Sequence, residues 1–150
     1  MSGRLIGIAR HEKPHAPIEE LKAAAVSLER GIEGDGRGSK PGHQVAIVFR
    51  EDWEAACRDH GRHLPWVTRR ANLYVEGVAG FKRIGARIRV GAVLLEVCEE
   101  TAPCSRMDAQ SQGLRAALQP DWRGGVNCKV LTPGEIALGD RVEVVEVWPG

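Results

Sequence analysis

Residues 86–97, ARIRVGAVLLEV, decide how the chain is read. Arg87, Ile88, Arg89 and Val90 alternate polar with apolar, the period of a strand that turns one face to a core. Gly91 interrupts the run, and the residues from Ala92 to Val97 are then almost all apolar. The pattern predicts two short strands, or one strand bent at Gly91, with the second half buried on both faces. Neighbouring segments follow the same logic. RLIGIAR (4–10), HQVAIVFR (43–50), NLYVEG (72–77), GVNCKVL (125–131) and DRVEVVEVW (140–148) each read as a strand, several of them rich in β-branched residues. PGEIALGD (133–140) reads as turn elements between the last two.

Helices are fewer. EDWEAACRDHG (51–61) has Glu51 and Asp52 at its positive end, Trp53, Ala56 and Cys57 at helical spacing, and Gly61 as a stop. AQSQGLRAAL (109–118) predicts a modest helix ended by Pro120. IEELKAAAVSLERG (18–31) admits two readings. Ile18, Leu21, Ala25 and Leu28 fall at helical spacing, while AVSLERG alone reads equally as a strand. Six or more short strands, two or three helices and 18 glycines do not make a regular strand–helix alternation, which argues against a doubly wound parallel sheet. The expected fold is mainly β with peripheral helices, a closed or nearly closed β-barrel.

At 150 residues the chain is expected to be one domain with a substantial core. Its 43% hydrophobic and 27% charged residues are ordinary for a soluble globular protein. Against 20 acidic residues stand 21 basic ones, a formal charge of +1, so the global balance demands neither nucleic acid nor a membrane. Any anion must be bound by a local arrangement. The apolar run near the N-terminus is ended by Glu12, Lys13 and Pro14, too short for a signal peptide. No stretch approaches the roughly 20 apolar residues of a spanning helix. Cys57, Cys98, Cys104 and Cys128 form no CxxC pair. A cytoplasmic protein with free thiols is expected rather than a disulfide framework.

Several segments carry candidate chemistry. GIEGDGRGSKPG (31–42) is glycine-rich, but Lys40 is followed by Pro41 and not by the Ser/Thr and helix of a phosphate-binding P-loop. It reads as a tight loop, or as a loop that sets Arg37 and Lys40 beside an anionic ligand. Cys57, His60 and His63 are spaced three apart, yet lack the further ligand that a structural zinc site requires. TRRANLYVEG (68–77) places Arg70 and Asn72 at the mouth of a strand, a fork for phosphate or carboxylate and an amide able to read an amide-like edge. The alternative there is a solvated strand start. Among the cysteines, Cys57, Cys98 and Cys128 fall where small buried fillers are common. Cys104 differs: it follows Pro103 beyond the strand, with Arg106 two residues on, and a nearby cation with partial exposure favours the thiolate.

In order, GIEGD (31–35), HQVAI (43–47), RANLYVEG (70–77), IGARIRVGAVLLEV (84–97), PCSRMD (103–108) and GGVNCKVLTPGEIALGD (124–140) resemble the MOSC domain, from about residue 4 to residue 147. The family takes its name from the C-terminal part of molybdenum cofactor sulfurases. The resemblance implies a MOSC-type β-barrel that binds the pyranopterin molybdenum cofactor. It puts the hallmark cysteine at Cys104, the Arg-x-Asn element at Arg70 and Asn72, and a chiefly structural Gly-Asp element at Gly34 and Asp35. Molybdenum accepts soft thiolate ligands, which fits a metal-ligating Cys104. The cofactor phosphate would need cations, for which Arg70, Arg106, Lys40 and Lys129 are the candidates.

The chain resembles the short stand-alone members. It has neither a plant-type ferredoxin cysteine cluster, nor a dinucleotide fingerprint, nor a pyridoxal-phosphate desulfurase domain. Three functions follow as expectations. One is reduction of N-hydroxylated small molecules, with electrons from a separate reductase. The other is a carrier of sulfur, as a persulfide on Cys104, or of cofactor, delivering to a molybdenum enzyme. A third is an interaction module that retains the barrel alone.

Overall fold

A computed structural model describes residues 2–37, 40 and 42–145. Eleven strands and three α-helices lie along them: β1 (Ser2–Arg10), β2 (Glu19–Leu21), β3 (Ala23–Ser27), β4 (Gly31–Ile32), β5 (Val45–Phe49), α1 (Arg50–His60), β6 (Leu73–Glu76), β7 (Arg87–Val90), β8 (Val93–Glu100), α2 (Ser105–Gln110), α3 (Leu114–Leu118), β9 (Val126–Thr132), β10 (Gly134–Ala137) and β11 (Arg141–Val145). Short 3-10 turns precede β6 at Trp66–Arg69 and β9 at Pro120–Trp122.

The stretch around Gly91 is a hairpin of β7 and β8, with Val90 opposite Val93. Gly91 takes φ 55° at the first turn position, where a side chain would also meet the Asp140 carboxylate at 2.5 Å. From this hairpin the sheet runs β11-β7-β8-β9-β5-β6-β1 and closes when β1 pairs with β11, Ser2 opposite Glu143 and Arg4 opposite Arg141. Seven strands thus form a barrel without free edges, while β2 extends it beside β1 and β10, β3 and β4 make a separate small sheet. All barrel pairs are antiparallel except β5 with β6, which α1 connects.

The interior follows from strand alternation. Leu5, Val45, Ile47, Leu73, Val75, Ile88, Leu95, Val97, Val126 and Val130 point inward and are buried. A second core lies outside the wall, where Ala46 and Val48 meet Trp53, Ala56 and Cys57 of α1, Met107 of α2, and Leu114 and Leu118 of α3. The strand buried on both faces is therefore β5, whose five residues are all buried, and not β8. In β8 only Val93, Leu95 and Val97 are buried and the residues between them are half-exposed, because no helix packs over that part of the wall.

Two other segments differ from expectation, and at a third the structure decides between the two readings left open. Residues 18–31 form no helix: Ala25 and Leu28 are exposed, and burial alternates through Ala24 and Val26 as β3 pairs with β10. Alanine, glutamate and leucine favour a helix locally, and the sheet overrides that preference. Residues 134–137, read as turn, are β10 itself, burying Ile136. Residues 109–118 split into α2 and α3, because Gly113 adopts φ 94° between them. The strand expected over 140–148 is β11, its last three residues lying outside the described ones. No helix among the described residues is long and apolar enough to cross a membrane.

Candidate functional site

Segments far apart in sequence converge on one cavity of about 350 Å³. After β1 come His11 and Pro14; the β4–β5 loop brings Arg37, Lys40 and His43; the turn before β6 brings Arg69 and Arg70. The segment between β8 and α2 contributes Thr101 and Cys104, α2 adds Arg106, and β9 adds Asn127. Four arginines and one lysine thus line the wall, with no carboxylate among the described lining residues. Two carboxylates lie behind them. Asp35 has a fully buried side chain 3.4 Å from Arg37 Nε, and Glu99 Oε1 is 2.7 Å from His43 Nε2.

Neutral acceptors hold Arg37, Arg69 and Arg70, and Asp35 adds an ion pair at Arg37. Arg37 donates from Nη2 to Arg70 O (2.6 Å) and to His11 Nε2 (2.9 Å), and from Nη1 to Asn72 Oδ1 (3.4 Å). Because Nε2 of His11 accepts from Arg37, its ring proton belongs on Nδ1, which faces Lys13 O at 3.2 Å. Burial, then the Arg37 charge, lowers the His11 pKa from its ordinary value and keeps the ring neutral. Burial also lowers the pKa of Arg37 and of Arg70, with Arg70 and Arg106 adding repulsion at Arg37 and Arg106 at Arg70.

Arg70 stands at φ 62°, the left-handed region, so that its carbonyl meets Arg37 while its own Nη2 donates to Ala16 O (2.6 Å). Its Nε is buried with no partner among the described residues. An unsatisfied buried donor on the wall of a cationic cavity is a vacancy for an acceptor. Arg69 is 8% exposed and donates from Nε to Gly124 O (3.0 Å) and from Nη2 to Thr101 O (2.8 Å). Burial pulls its pKa down to about 10, the Cys104 sulfur pushes it back up, and Arg37 pulls it further down. Cys104 is exposed and free, at the residue before α2, where its carbonyl accepts from Met107 N–H.

Chemically, the described wall is cationic, with an exposed thiol at its edge. The family model of the MOSC domain matches residues 35–143, the span from Asp35 through β11's third residue.

The chain belongs to the MOSC domain family.

Solved structures of similar shape agree with that assignment at the level of fold. The YuaD protein from Bacillus subtilis superposes with a TM-score of 0.84 at 18% identity, covering 99% of this chain and 98% of that one. YiiM from Escherichia coli gives 0.71 at 17% identity over 98% and 72% of the two chains. YiiM from Geobacillus stearothermophilus gives 0.69 at 18% identity over 99% and 75%. No curated protein matches the sequence significantly.

Within this MOSC domain the expected site residues separate. Cys104, Arg70, Arg106 and Lys40 line the one cavity, and Arg37 joins them. Lys129 does not: two residues beyond Asn127 on β9, it forms an ion pair with Glu96 at 3.1 Å. Asn72 is fully buried and reads no ligand edge. Its Oδ1 accepts from Ala46 N–H (2.9 Å) and its Nδ2 donates to Ala9 O (3.2 Å), so it ties β1 to β5 beneath Arg37. Asp35 is likewise internal, accepting from the backbone N–H groups of His11 (3.0 Å) and Arg37 (3.2 Å). The zinc spacing does not converge, since Cys57 is buried under Leu64 while His60 turns to Ser111 at 2.7 Å. His11, His43, Arg69 and Asn127 were not singled out by sequence. Of these, Arg69 alone carried a signal, as the first of two adjacent arginines.

Proposed function

We propose that this MOSC domain binds the pyranopterin molybdenum cofactor in the cavity beside Cys104 and reduces N-hydroxylated small molecules. The observation that carries the reading is the composition of the wall: five cations, one exposed thiol, no described carboxylate, and a buried Arg70 Nε without a partner. Residues of this kind fit the cofactor. A terminal phosphate suits Arg37, Arg70, Arg106 and Lys40, whose donors and charges would otherwise repel one another in a half-buried space. Cys104 supplies the thiolate that molybdenum accepts, on a segment that leaves the sulfur open to approach.

When bound, the cofactor supplies two-electron oxygen-atom transfer chemistry, and a separate reductase supplies the electrons. The net reaction takes R–NHOH, two electrons and two protons to R–NH2 and water. The chain's own part is to bind, orient and exchange protons. His43 Nε2 faces Glu99 at the cavity edge, a pair able to hold a proton and release it toward the interior. Asn127 anchors that edge: its Oδ1 accepts from Thr101 Oγ1 (2.9 Å), and its amide group lies 3.2 Å from His43 Nδ1.

The test is purification from a host that makes the cofactor, with molybdenum and pterin measured on wild type and Cys104→Ala. Stoichiometric metal, lost in the variant, supports the reading. Turnover of an N-hydroxylated purine with an artificial electron donor then supports the reductase. A metal-free protein with cyanide-labile sulfur on Cys104 overturns both in favour of a sulfur carrier.

A further inference from the structure

A second cavity, of about 700 Å³, shares no described lining residue with the first. Its apolar wall is Ile6 of β1, Trp53 and Cys57 of α1, Leu64, Trp66 and Tyr74 of β6. Gly7 stands opposite Tyr74 across the β1–β6 pair, where the register of β1 shifts between Leu5 and Gly7. The Trp66 indole takes the space that a side chain at position 7 would need. A Cβ there would sit 2.6 Å from Trp66 Cζ2 and 2.9 Å from its Nε1. The indole lies parallel to the Tyr74 ring, with 5.1 Å between centroids and 4° between planes, and both residues stay half-exposed.

Covering a cross-strand glycine accounts for the indole. It does not account for the polar tips. Trp53 Nε1 donates to Leu64 O at 3.0 Å, whereas Trp66 Nε1 and the Tyr74 hydroxyl have no hydrogen-bond partner among the described residues. Burial, then the Glu54 charge, pushes the Tyr74 pKa up to about 12, so the hydroxyl keeps a proton to donate. The rim is cationic. Glu54 is the one carboxylate among the described lining residues, and Arg50 pairs with it at 2.8 Å. Arg58 and Arg62 are exposed and have no carboxylate partner among the described residues; Arg62 Nη1 donates to Ser111 Oγ at 3.2 Å. Arg58 suits the negative end of α1 on its own account, but Arg62 lies beyond the Gly61 cap.

We propose that this cavity is a binding site for a small aromatic anion: a flat ring on the Trp66–Tyr74 wall, with a carboxylate or phosphate taken by Arg58 and Arg62. The volume is that of a small-molecule site. Aromatic faces favour a flat ring, the free N–H and O–H groups favour an acceptor, and guanidiniums without partners favour negative charge. Because the two cavities share no described lining residue, the site stands whether or not the first one holds the cofactor.

The test is a titration of the full chain by ligand-observed saturation-transfer NMR. Its probes are naphthoate, naphthyl phosphate, naphthylmethylammonium and cyclohexanecarboxylate. At least one naphthyl anion is expected to saturate with Kd on the order of 0.1–1 mM, and the tighter of the two names the head group. The ammonium and the non-planar acid are expected to bind at least about fivefold more weakly. Tyr74→Phe keeps the ring and should weaken the anion about two- to fivefold. Arg58→Gln combined with Arg62→Gln should weaken it about three- to tenfold at low salt. Arg106→Gln, in the other cavity, should leave its Kd within about twofold. An ammonium that binds as tightly as naphthoate overturns the proposal. So does Arg106→Gln weakening the anion as much as the arginine pair does, which places the anion in the first cavity. Unchanged affinity in both Tyr74→Phe and the arginine pair overturns it as well. If neither anion saturates below about 10 mM, the proposal fails and the aromatic face is left to a protein partner. Molybdenum and pterin are not read in this titration, so its failure is separate from failure of the cofactor reading.

Discussion

Asn72→Ala tests whether the Arg-x-Asn element works as a structural tie. The Asn72 side chain is fully buried and makes three hydrogen bonds: from Ala46 N–H at 2.9 Å, from Arg37 Nη1 at 3.4 Å, and to Ala9 O at 3.2 Å. The Arg37 contact is long, and Arg37 keeps its other partners, so its loss contributes little. The Ala46 N–H and the Ala9 carbonyl are a different matter, since both belong to buried residues and both lose a partner in the variant. Each orphaned group costs about 1–3 kcal/mol, offset in part where a water enters the space left by the amide. The expected loss is about 2–4 kcal/mol, which lowers Tm by about 4–16 °C in a domain of this size. Urea denaturation at neutral pH measures it directly, as a lower midpoint with an unchanged slope. Stability within about 0.5 kcal/mol of wild type would refute the reasoning, because two strands of the barrel would then hold together without this amide.

Further outcomes follow from the same contacts. His11 is kept neutral in the folded state, with Arg37, Arg70 and Asp35 around it and burial the largest influence. The unfolded chain takes up a proton near the ordinary histidine pKa while the folded chain does not. Stability therefore falls as pH drops below about 6.5 and levels off under the lowered folded value. Urea midpoints between about pH 7.5 and 5.5 should show a shallower acid loss in His11→Gln than in wild type; parallel curves would remove His11 as the cause. Gly125 stands at φ 98°, with its would-be Cβ 2.0 Å from Ile47 O, so Gly125→Ala should cost about 3 kcal/mol or more. Gly61 also has a left-handed φ, 81°, but open space around it, and Gly61→Ala should cost only about 1–2 kcal/mol. Equal losses in the two variants, read as urea midpoints, would argue against the close approach of β5 and the loop before β9.

What could be read in the sequence divides along a physical line. Alternation is local, so β1, β5, β6, β7, β8, β9 and β11 were legible, and so was α1 through its acidic start and Gly61 stop. Closure was expected as a class, yet the contact that makes it, Ser2 to Arg4 on Arg141 to Glu143, joins the two ends of the described chain and leaves no local mark. Residues 134–137 went wrong, and residues 18–31 stayed open between helix and strand, for the converse reason: the pairing of β3 with β10 decides both. At the site, Cys104 stood out because it follows Pro103 beyond a strand with Arg106 two residues on, and the structure leaves it exposed on the cavity wall. Arg69 and Arg70 show where such reading stops. Adjacent and chemically identical, they are separated only by the 3-10 turn, which ends at Arg69 and puts Arg70 at φ 62°. That one left-handed residue sends one guanidinium to Ala16 and the other under Thr101 and Gly124. The choice goes with φ at a single position, whose carbonyl accepts from Arg37 in a loop more than thirty residues away. Sequence marks the pair; only the fold decides which arginine reaches Ala16 and which bridges Thr101 and Gly124.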